Sequence, residues 1–130
     1  MEFHMKECGI QTDLQFGELC VSGNEEHGYR PFQLMVASIA GCSGSVLRKI
    51  LEKQRADIED IQIVADTIRN PADANRIEEI SLNFTVKGRD LDPAKMQKNL
   101  ETARNNCSMI RSVEDSIRIV ESIEIEEMDG

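Results

Sequence analysis

The sequence predicts an α+β fold in a single domain, residues 1–130, with the element order ββ-α-ββ-α-β and a buried central helix. Two observations lead to this prediction. No charged side chain occurs between Arg30 and Arg48, and the segments on either side of this run alternate apolar and polar residues as strands do. A chain of 130 residues, 40% of them hydrophobic, can enclose one core but is short for several.

The first elements are two short strands, expected before Ser22, where apolar residues alternate loosely around Gly9 and Gly17. Pro31 then predicts the start of a helix, because the first helical residue needs no N–H and proline has none. This helix should run to Gln54. Its uncharged part is too short, and too rich in serine and glycine, for a membrane span, so we expect a core helix.

The second half of the chain predicts two strands, a helix and a last strand. Residues 58–69 and 77–87 have strand character, and the turn-forming residues between them suit a hairpin. An Asp-Pro pair starts a second helix, expected over residues 93–105. After a short link, recurring isoleucines predict the last strand over residues 117–125.

Composition and charge exclude several classes of partner. With 15 basic and 24 acidic side chains the formal net charge is −9, and no cluster of Lys and Arg could follow a phosphate backbone or an anionic membrane. We therefore expect no nucleic acid and no membrane as partners. The start of the chain lacks a signal-peptide pattern, and the four cysteines lack the spacing of a disulfide framework, so we expect a cytoplasmic protein.

Cys8 and Cys20 are expected to have structural roles. A strand reversal near residues 11–13 would place Cys20 opposite His4, so the two thiols would not be cross-strand partners. His4 and His27 are the histidines that could join these thiols around a metal, but no zinc-like spacing is present. We predict no metal site and no cofactor.

Cys42, in the central helix, has two interpretations. Free cysteine is among the most frequently buried residue types, so a packed structural thiol is the simpler one. Small side chains surround it on the helix surface, however, so a substrate or a second helix could approach closely. These small residues are Ala37, Ala40, Gly41, Gly44 and Ser45.

Cys107 follows the second helix in a polar segment and is expected to be the more accessible thiol. An enclosed thiol together with a thiol at a turn suits a peroxidase, in which the first becomes a sulfenic acid and the second captures it as a disulfide. Only the fold can bring Cys42 and Cys107 together, because they are far apart in the sequence.

Residues 31–42, PFQLMVASIAGC, resemble the Pro-x-x-Leu-x-x-Ala-x-x-Ala-x-Cys helix of the OsmC/Ohr family, thiol peroxidases that reduce organic hydroperoxides. Residues 107–112, CSMIRS, resemble the family's second Cys segment, where Pro often follows the Cys. The resemblance implies an intertwined homodimer with active sites at the subunit interface. It also implies that peroxide attacks Cys42, that Cys107 resolves it, and that a dithiol reductant restores the pair.

Two parts of the family site are missing from this sequence. The family's catalytic Glu directly follows the Pro of the helix, where this chain has Phe32. The activating Arg of the family comes from the N-terminal strands, yet residues 7–29 contain no Arg or Lys. Arg30 and His27 are the candidate substitutes for activating the Cys42 thiol, although an exposed loop residue is the simpler interpretation of each.

Two functions are compatible with these residues. As a peroxidase, the protein would reduce a small organic hydroperoxide in an apolar pocket lined by Phe32, Met35, Met109 and Ile110. As a non-catalytic member of the family, it would bind a small apolar or sulfur-containing ligand in the same pocket at the dimer interface. A purely structural dimer would do neither.

Overall fold

The computed structural model describes residues 1–7 and 9–129. Within them the chain forms two compact units, residues 1–37 and the residues from 38 onward. The elements are β1 (His4–Lys6), β2 (Gly9–Asp13), β3 (Glu18–Val21), α1 (Pro31–Lys53), β4 (Asp57–Asn70), β5 (Arg76–Arg89), α2 (Pro93–Asn105), α3 (Ser108–Val113) and β6 (Arg118–Glu127). The predicted α+β class is confirmed, with one strand and one short helix more than expected. That residues 1–130 fold as a single domain stays a prediction.

The first unit contains a three-stranded antiparallel sheet in the order β1-β2-β3. β2 turns into β3 where the N–H of Leu14 donates to the carbonyl of Gly17 at 3.0 Å. The chain then folds back on β3, since the N–H of Tyr29 donates to the Cys20 carbonyl at 2.8 Å. A Cβ on Gly28 would lie 2.7 Å from that same carbonyl oxygen, so the close approach requires glycine.

This sheet differs from the two strands that the sequence predicted. The chain reverses direction before β2 and again after it, so Cys20 pairs with Gln11 and not with His4. The loose alternation of the segment could not specify the register, because a shift of one residue exchanges the two faces of a strand. The prediction for Cys8 concerns a residue outside the described ones.

The second unit is built on a sheet in the order β4-β5-β6. β4 and β5 form an antiparallel hairpin, as predicted, and Ala74 and Asn75 in its loop have left-handed φ angles of 53° and 58°. β6 pairs with β5 in parallel, so the chain crosses over between them through α2 and α3. Cys107 lies within this crossover, at the junction of the two helices.

The inward face of β5 and one side of α2 contribute much of the core of the second unit. The alternation predicted for β5 is confirmed, since its inward side chains are at most 1% exposed. The largest buried contributors from these elements are Ile80, Leu82, Phe84, Val86, Met96 and Leu100. α2 has the bounds that the sequence predicted, because the Asp92 carboxylate accepts a hydrogen bond from the Ala94 N–H at 3.1 Å and caps its first turn.

The central helix α1 begins at Pro31, as predicted, and ends one residue before the expected Gln54. It is buried along one stripe of residues spaced by four, namely Ile39, Ser43, Leu47 and Leu51. Gly41 and Ser45 are exposed in the single chain, so the buried part is narrower than the whole uncharged stretch. A helix face without charges can be buried by the rest of the chain, or it can consist of small residues and stay exposed. The absence of charge does not distinguish these two cases.

α1 is, by length and composition, the one helix of the described residues that could cross a membrane. The core helix of a soluble protein has the same properties, and α1 makes side-chain contacts typical of such a helix. Ser43 hydrogen-bonds to Glu121 of β6 at 3.3 Å, and Cys42 contacts Ser108 of α3. These polar contacts with other elements of the second unit favour the core position that the sequence predicted.

Candidate active site

The fold brings the two thiols of the second unit together. The Cys42 side chain projects from the middle of α1, while Cys107 caps the start of α3. The Cys42 Sγ lies 3.7 Å from the Oγ of Ser108, the residue after Cys107, and the Cys107 thiol is close enough to lower the pKa of Cys42 as a hydrogen-bond donor. The fold places Cys107 near Cys42, and the pairing of the two thiols and their catalytic roles stay predictions.

Cys42 is the thiol at which negative charge is stabilised. The backbone N–H of Met109 has the largest effect, and it holds the pKa of Cys42 below its usual value. Burial opposes this effect, and the Cys107 thiol and both the hydroxyl and the N–H of Ser108 add to it. A thiolate that accepts several hydrogen bonds is favoured over its thiol.

Cys107 has the opposite character. It is 0% exposed, and its sulfur accepts a hydrogen bond from the N–H of Ile110 at 3.5 Å. Burial, the largest effect, raises the pKa of Cys107, and the neighbouring Cys42 raises it further. Cys107 is therefore the thiol of the pair that holds its proton more strongly.

The prediction that Cys107 is the more accessible thiol was wrong. Cys42 is half-buried, whereas Cys107 is fully enclosed. The reason is that the Cys107 side chain turns back to cap α3, next to the buried Ala103 and Ile110. The sequence showed a polar segment around Cys107 but not the direction of its side chain.

The predicted pocket residues differ in accessibility. Met35 and Met109 are 41% and 37% exposed, and Phe32 is half-buried. Ile110 is 0% exposed and belongs to the core, so a ligand could reach it only if the core moved. Phe32 and Met35 belong to the first unit, and a pocket shared with Met109 stays a prediction.

The two candidate activators also belong to the first unit. The Arg30 guanidinium lies over the Phe32 ring, 4.8 Å from its centroid. The N–H of His27 donates to the carbonyl of Asn24 at 3.0 Å, within the loop before α1. Activation of Cys42 by Arg30 or His27 stays a prediction.

Cys20 lacks the features of a reactive thiol. Its Sγ donates to the Glu18 carboxylate at 3.3 Å, and this hydrogen bond is the largest of the effects that raise the pKa of Cys20. A thiol that donates to a carboxylate stays protonated, and protonated thiols are poor nucleophiles.

Sequence reasoning missed the hydrogen-bond donors at the start of α3. Ser108 and Met109 both contribute to the environment of the Cys42 sulfur, and Met109 was expected only as an apolar pocket residue. The available signal was that Ser108 stands where proline is common, because a serine adds both a hydroxyl and an N–H donor.

A second polar cluster lies one residue further along α1. The Ser43 hydroxyl donates to Oε2 of Glu121 at 3.3 Å, and Oε1 of Glu121 lies 3.7 Å from the Arg104 guanidinium. The Glu121 side chain is only 5% exposed, and among the described residues its Oε1 accepts no hydrogen bond. Burial, the largest effect, raises the pKa of Glu121.

An open groove separates the small residues of α1 from β4. Its volume is about 500 Å³, and Ala40, Gly41, Gly44 and Ser45 form its α1 side. Cys42 does not line it. Four of the five small residues predicted to permit close approach, all except Ala37, therefore face a groove other than the thiol site.

Known proteins resemble this chain over most of its length. A sequence model of the family described as OsmC-like protein matches residues 23–122. The protein YhfA of Escherichia coli strain K12 is 26% identical over 110 residues, which cover 83% of this chain and 82% of YhfA.

Two solved structures extend the similarity to the fold. A hypothetical protein from Aquifex aeolicus VF5 superposes with a TM-score of 0.87 at 22% identity, covering 98% of this chain and 96% of that one. The organic hydroperoxide resistance protein OhrB of Bacillus subtilis superposes with a TM-score of 0.61 at 18% identity, covering 96% and 95%. The family match includes both Cys42 and Cys107, and this chain belongs to the OsmC-like family.

Proposed function

We propose that this protein is a thiol peroxidase that reduces organic hydroperoxides, with Cys42 as the nucleophile and Cys107 as the resolving thiol. The observation that carries the proposal is the position of Cys107 directly before Ser108, whose hydroxyl lies 3.7 Å from the Cys42 sulfur, so the two thiols shift each other's pKa values in opposite directions. The lowered pKa of Cys42 suits attack on peroxide, and the raised pKa of Cys107 makes Cys107 the weaker nucleophile of the two. The first attack therefore falls to Cys42, and Cys107 must lose its proton as it attacks in the second step.

The chemistry balances without a cofactor. The Cys42 thiolate attacks the terminal peroxide oxygen, the O–O bond breaks, and the sulfur becomes a sulfenic acid while the alkoxide takes a proton and leaves as an alcohol. The Cys107 thiol then attacks the Cys42 sulfur, which forms a disulfide and releases water. Two electrons from a dithiol reductant return both thiols to the reduced state.

Several further features belong to the proposal. The name of the Bacillus subtilis protein supports an organic hydroperoxide as the substrate. The protein would act as a homodimer in the cytoplasm. Because Phe32 replaces the family's Glu, we expect slower turnover than in relatives that have this carboxylate, with hydrogen-bond donors of α3 stabilising the thiolate instead.

The test is oxidation of the full-length reduced protein by cumene hydroperoxide, read by peptide mass spectrometry. We expect one disulfide, between Cys42 and Cys107. Cys107→Ser should stop at a Cys42 sulfenic acid that dimedone traps, and Cys42→Ser should consume no peroxide. Cys20→Ser is the matched control and should behave like the parent, because the Cys20 thiol is held protonated by Glu18.

A folded protein whose Cys42 stays unmodified by the hydroperoxide would overturn the proposal. It would favour the alternative of a non-catalytic protein that binds a small apolar or sulfur-containing ligand. Such a ligand would raise the melting temperature of Cys42→Ser as much as that of the parent.

A further inference from the structure

Ser108 is the first residue of α3, and its side chain touches the sulfur of Cys42. We propose that Ser108 is a catalytic residue whose hydroxyl donates a hydrogen bond to the Cys42 thiolate. This proposal adds a residue to the proposed function. It rests on that function in one respect, namely that the Cys42 thiolate is the reactive form.

The direction of the hydrogen bond follows from the protonation of the sulfur. The Ser108 Oγ and the Cys42 Sγ are 3.7 Å apart, and in the thiol form either atom could be the donor. A thiolate has no proton, so after deprotonation only the hydroxyl can donate. The hydroxyl hydrogen rotates freely about the C–O bond, and the change of direction therefore needs no movement of heavy atoms.

The position of Ser108 is held by its own helix. The N–H of Arg111 donates to the Cys107 carbonyl at 3.0 Å, and the N–H of Ile110 donates to the Cys107 sulfur at 3.5 Å, so the turn that contains Ser108 is closed. A donor whose position is fixed before the charge forms stabilises that charge without reorganisation. The first turn of α3 thus fixes the backbone that carries the Ser108 side chain.

Ser108 differs from the other side-chain donor at this sulfur. The Cys107 thiol also donates to Cys42, but Cys107 must give up its proton when it attacks the oxidised sulfur. An alcohol does not ionise near neutral pH, so the Ser108 hydroxyl keeps its proton through every step. The Ser108 hydroxyl can therefore donate to the Cys42 sulfur at every step, including those at which Cys107 has no proton.

The test measures the reactivity of the Cys42 thiolate and needs no peroxide. Iodoacetamide alkylation of the full-length protein is followed across pH by peptide mass spectrometry, which resolves Cys42 from the other cysteines. Ser108→Ala should raise the apparent pKa of Cys42 by about half a unit to one unit, which slows alkylation at pH 7 by about three- to tenfold. Ser108→Thr, which keeps the hydroxyl, should stay near the parent.

Ser112→Ala is the matched control. It removes a side-chain hydrogen bond to the same turn of α3 but no contact with Cys42, so it should leave the pKa of Cys42 unchanged. Ser108 is exposed, and alanine there should not disturb folding. The proposal is overturned if Ser108→Ala has the parent profile, or if Ser112→Ala shifts the pKa equally. Both results can be read even if Cys42 proves inert to hydroperoxide.

Discussion

Cys42 and Ser43 are neighbours on α1, yet they belong to two sites at which negative charge is treated in opposite ways. At Cys42, donors from three consecutive residues, 107–109, converge on a half-buried sulfur and lower its pKa. At Ser43, one hydroxyl and a guanidinium 3.7 Å away face the almost fully enclosed carboxylate of Glu121, and its pKa rises.

The comparison shows that the number of donors relative to the extent of burial decides where charge is favourable. A buried carboxylate loses its hydration, and a single hydrogen bond with one distant cation does not replace it. The Cys42 sulfur loses less hydration and gains more donors. On α1, Cys42 is therefore suited to ionise, whereas its neighbour Ser43 contacts Glu121, a carboxylate that is not.

The largest expected effect concerns the ion pair at Glu121. Arg104→Met would leave this carboxylate enclosed without a cation and would also remove the hydrogen bond from Arg104 to the Ile119 carbonyl. We expect a loss of about 2 kcal/mol in the free energy of unfolding, less than for a fully buried pair because the Arg104 side chain is 35% exposed. Urea unfolding at pH 7 measures it.

The control for this prediction is the double variant Arg104→Met with Glu121→Leu. It removes both charges, so its stability should lie within about 1 kcal/mol of the parent. If the double variant is as unstable as the single one, the loss comes from the Arg104 side chain itself, through its packing and its hydrogen bond to the Ile119 carbonyl, and not from the unpaired carboxylate.

A smaller effect is expected from Glu121→Gln, and it should depend on pH. The folded-state pKa of Glu121 lies above its unfolded value, so the folded chain takes up the proton first as pH falls through that window. The charged Glu121 therefore lowers the stability of the parent at neutral pH. This loss disappears when the pH falls below the unfolded-state pKa of Glu121, because the carboxyl is then protonated in both states. Glu121→Gln should exceed the parent by about 1 kcal/mol or less at pH 7, and the difference should shrink near pH 4.

Urea unfolding of both proteins at the two pH values measures this difference. A constant difference across pH would contradict the assignment, because a purely steric effect of the amide does not titrate. Glu124→Gln on the same strand is the matched control, because it makes the same change at an exposed position.

The smallest expected effect is that of salt on Cys42. The donors that lower its pKa most are neutral, and neutral hydrogen bonds are not screened by ions. The apparent pKa from alkylation should therefore change by less than about 0.2 units between about 0.05 M and 0.5 M NaCl. A rise of about half a unit would instead point to activation by a cation, with Arg30 and His27 as the first candidates.

The elements that the sequence predicted best are those with strong local signals. α2 was placed correctly because Asp92 and Pro93 mark its start, and β5 because its apolar residues alternate without a break. In β6, one charged residue interrupts the row of inward-facing isoleucines, and this interruption was a signal that the sequence already contained. Glu121 lies between Ile119 and Ile123 on the inward face, which is the pattern of a buried charge.

The remaining features depend on tertiary structure. α3 has six residues, too few to be predicted from helical periodicity, and its cap is a thiol and not one of the common capping residues. The prediction of which cysteine is more accessible was wrong for a related reason. The direction of a side chain beside a short helix depends on packing, which the sequence does not show. The donors at the Cys42 sulfur could be found only once α1 and α3 were placed side by side.

The enclosure of Cys107 has a consequence for how a disulfide between the two cysteines would be reduced. An external thiolate can reach only the Cys42 sulfur, so the mixed disulfide must form there and Cys107 must depart as the leaving group. A thiol with a raised pKa leaves slowly. The same burial that keeps Cys107 protonated for the forward reaction would thus delay recycling, and it favours a reductant small enough to enter beside α3.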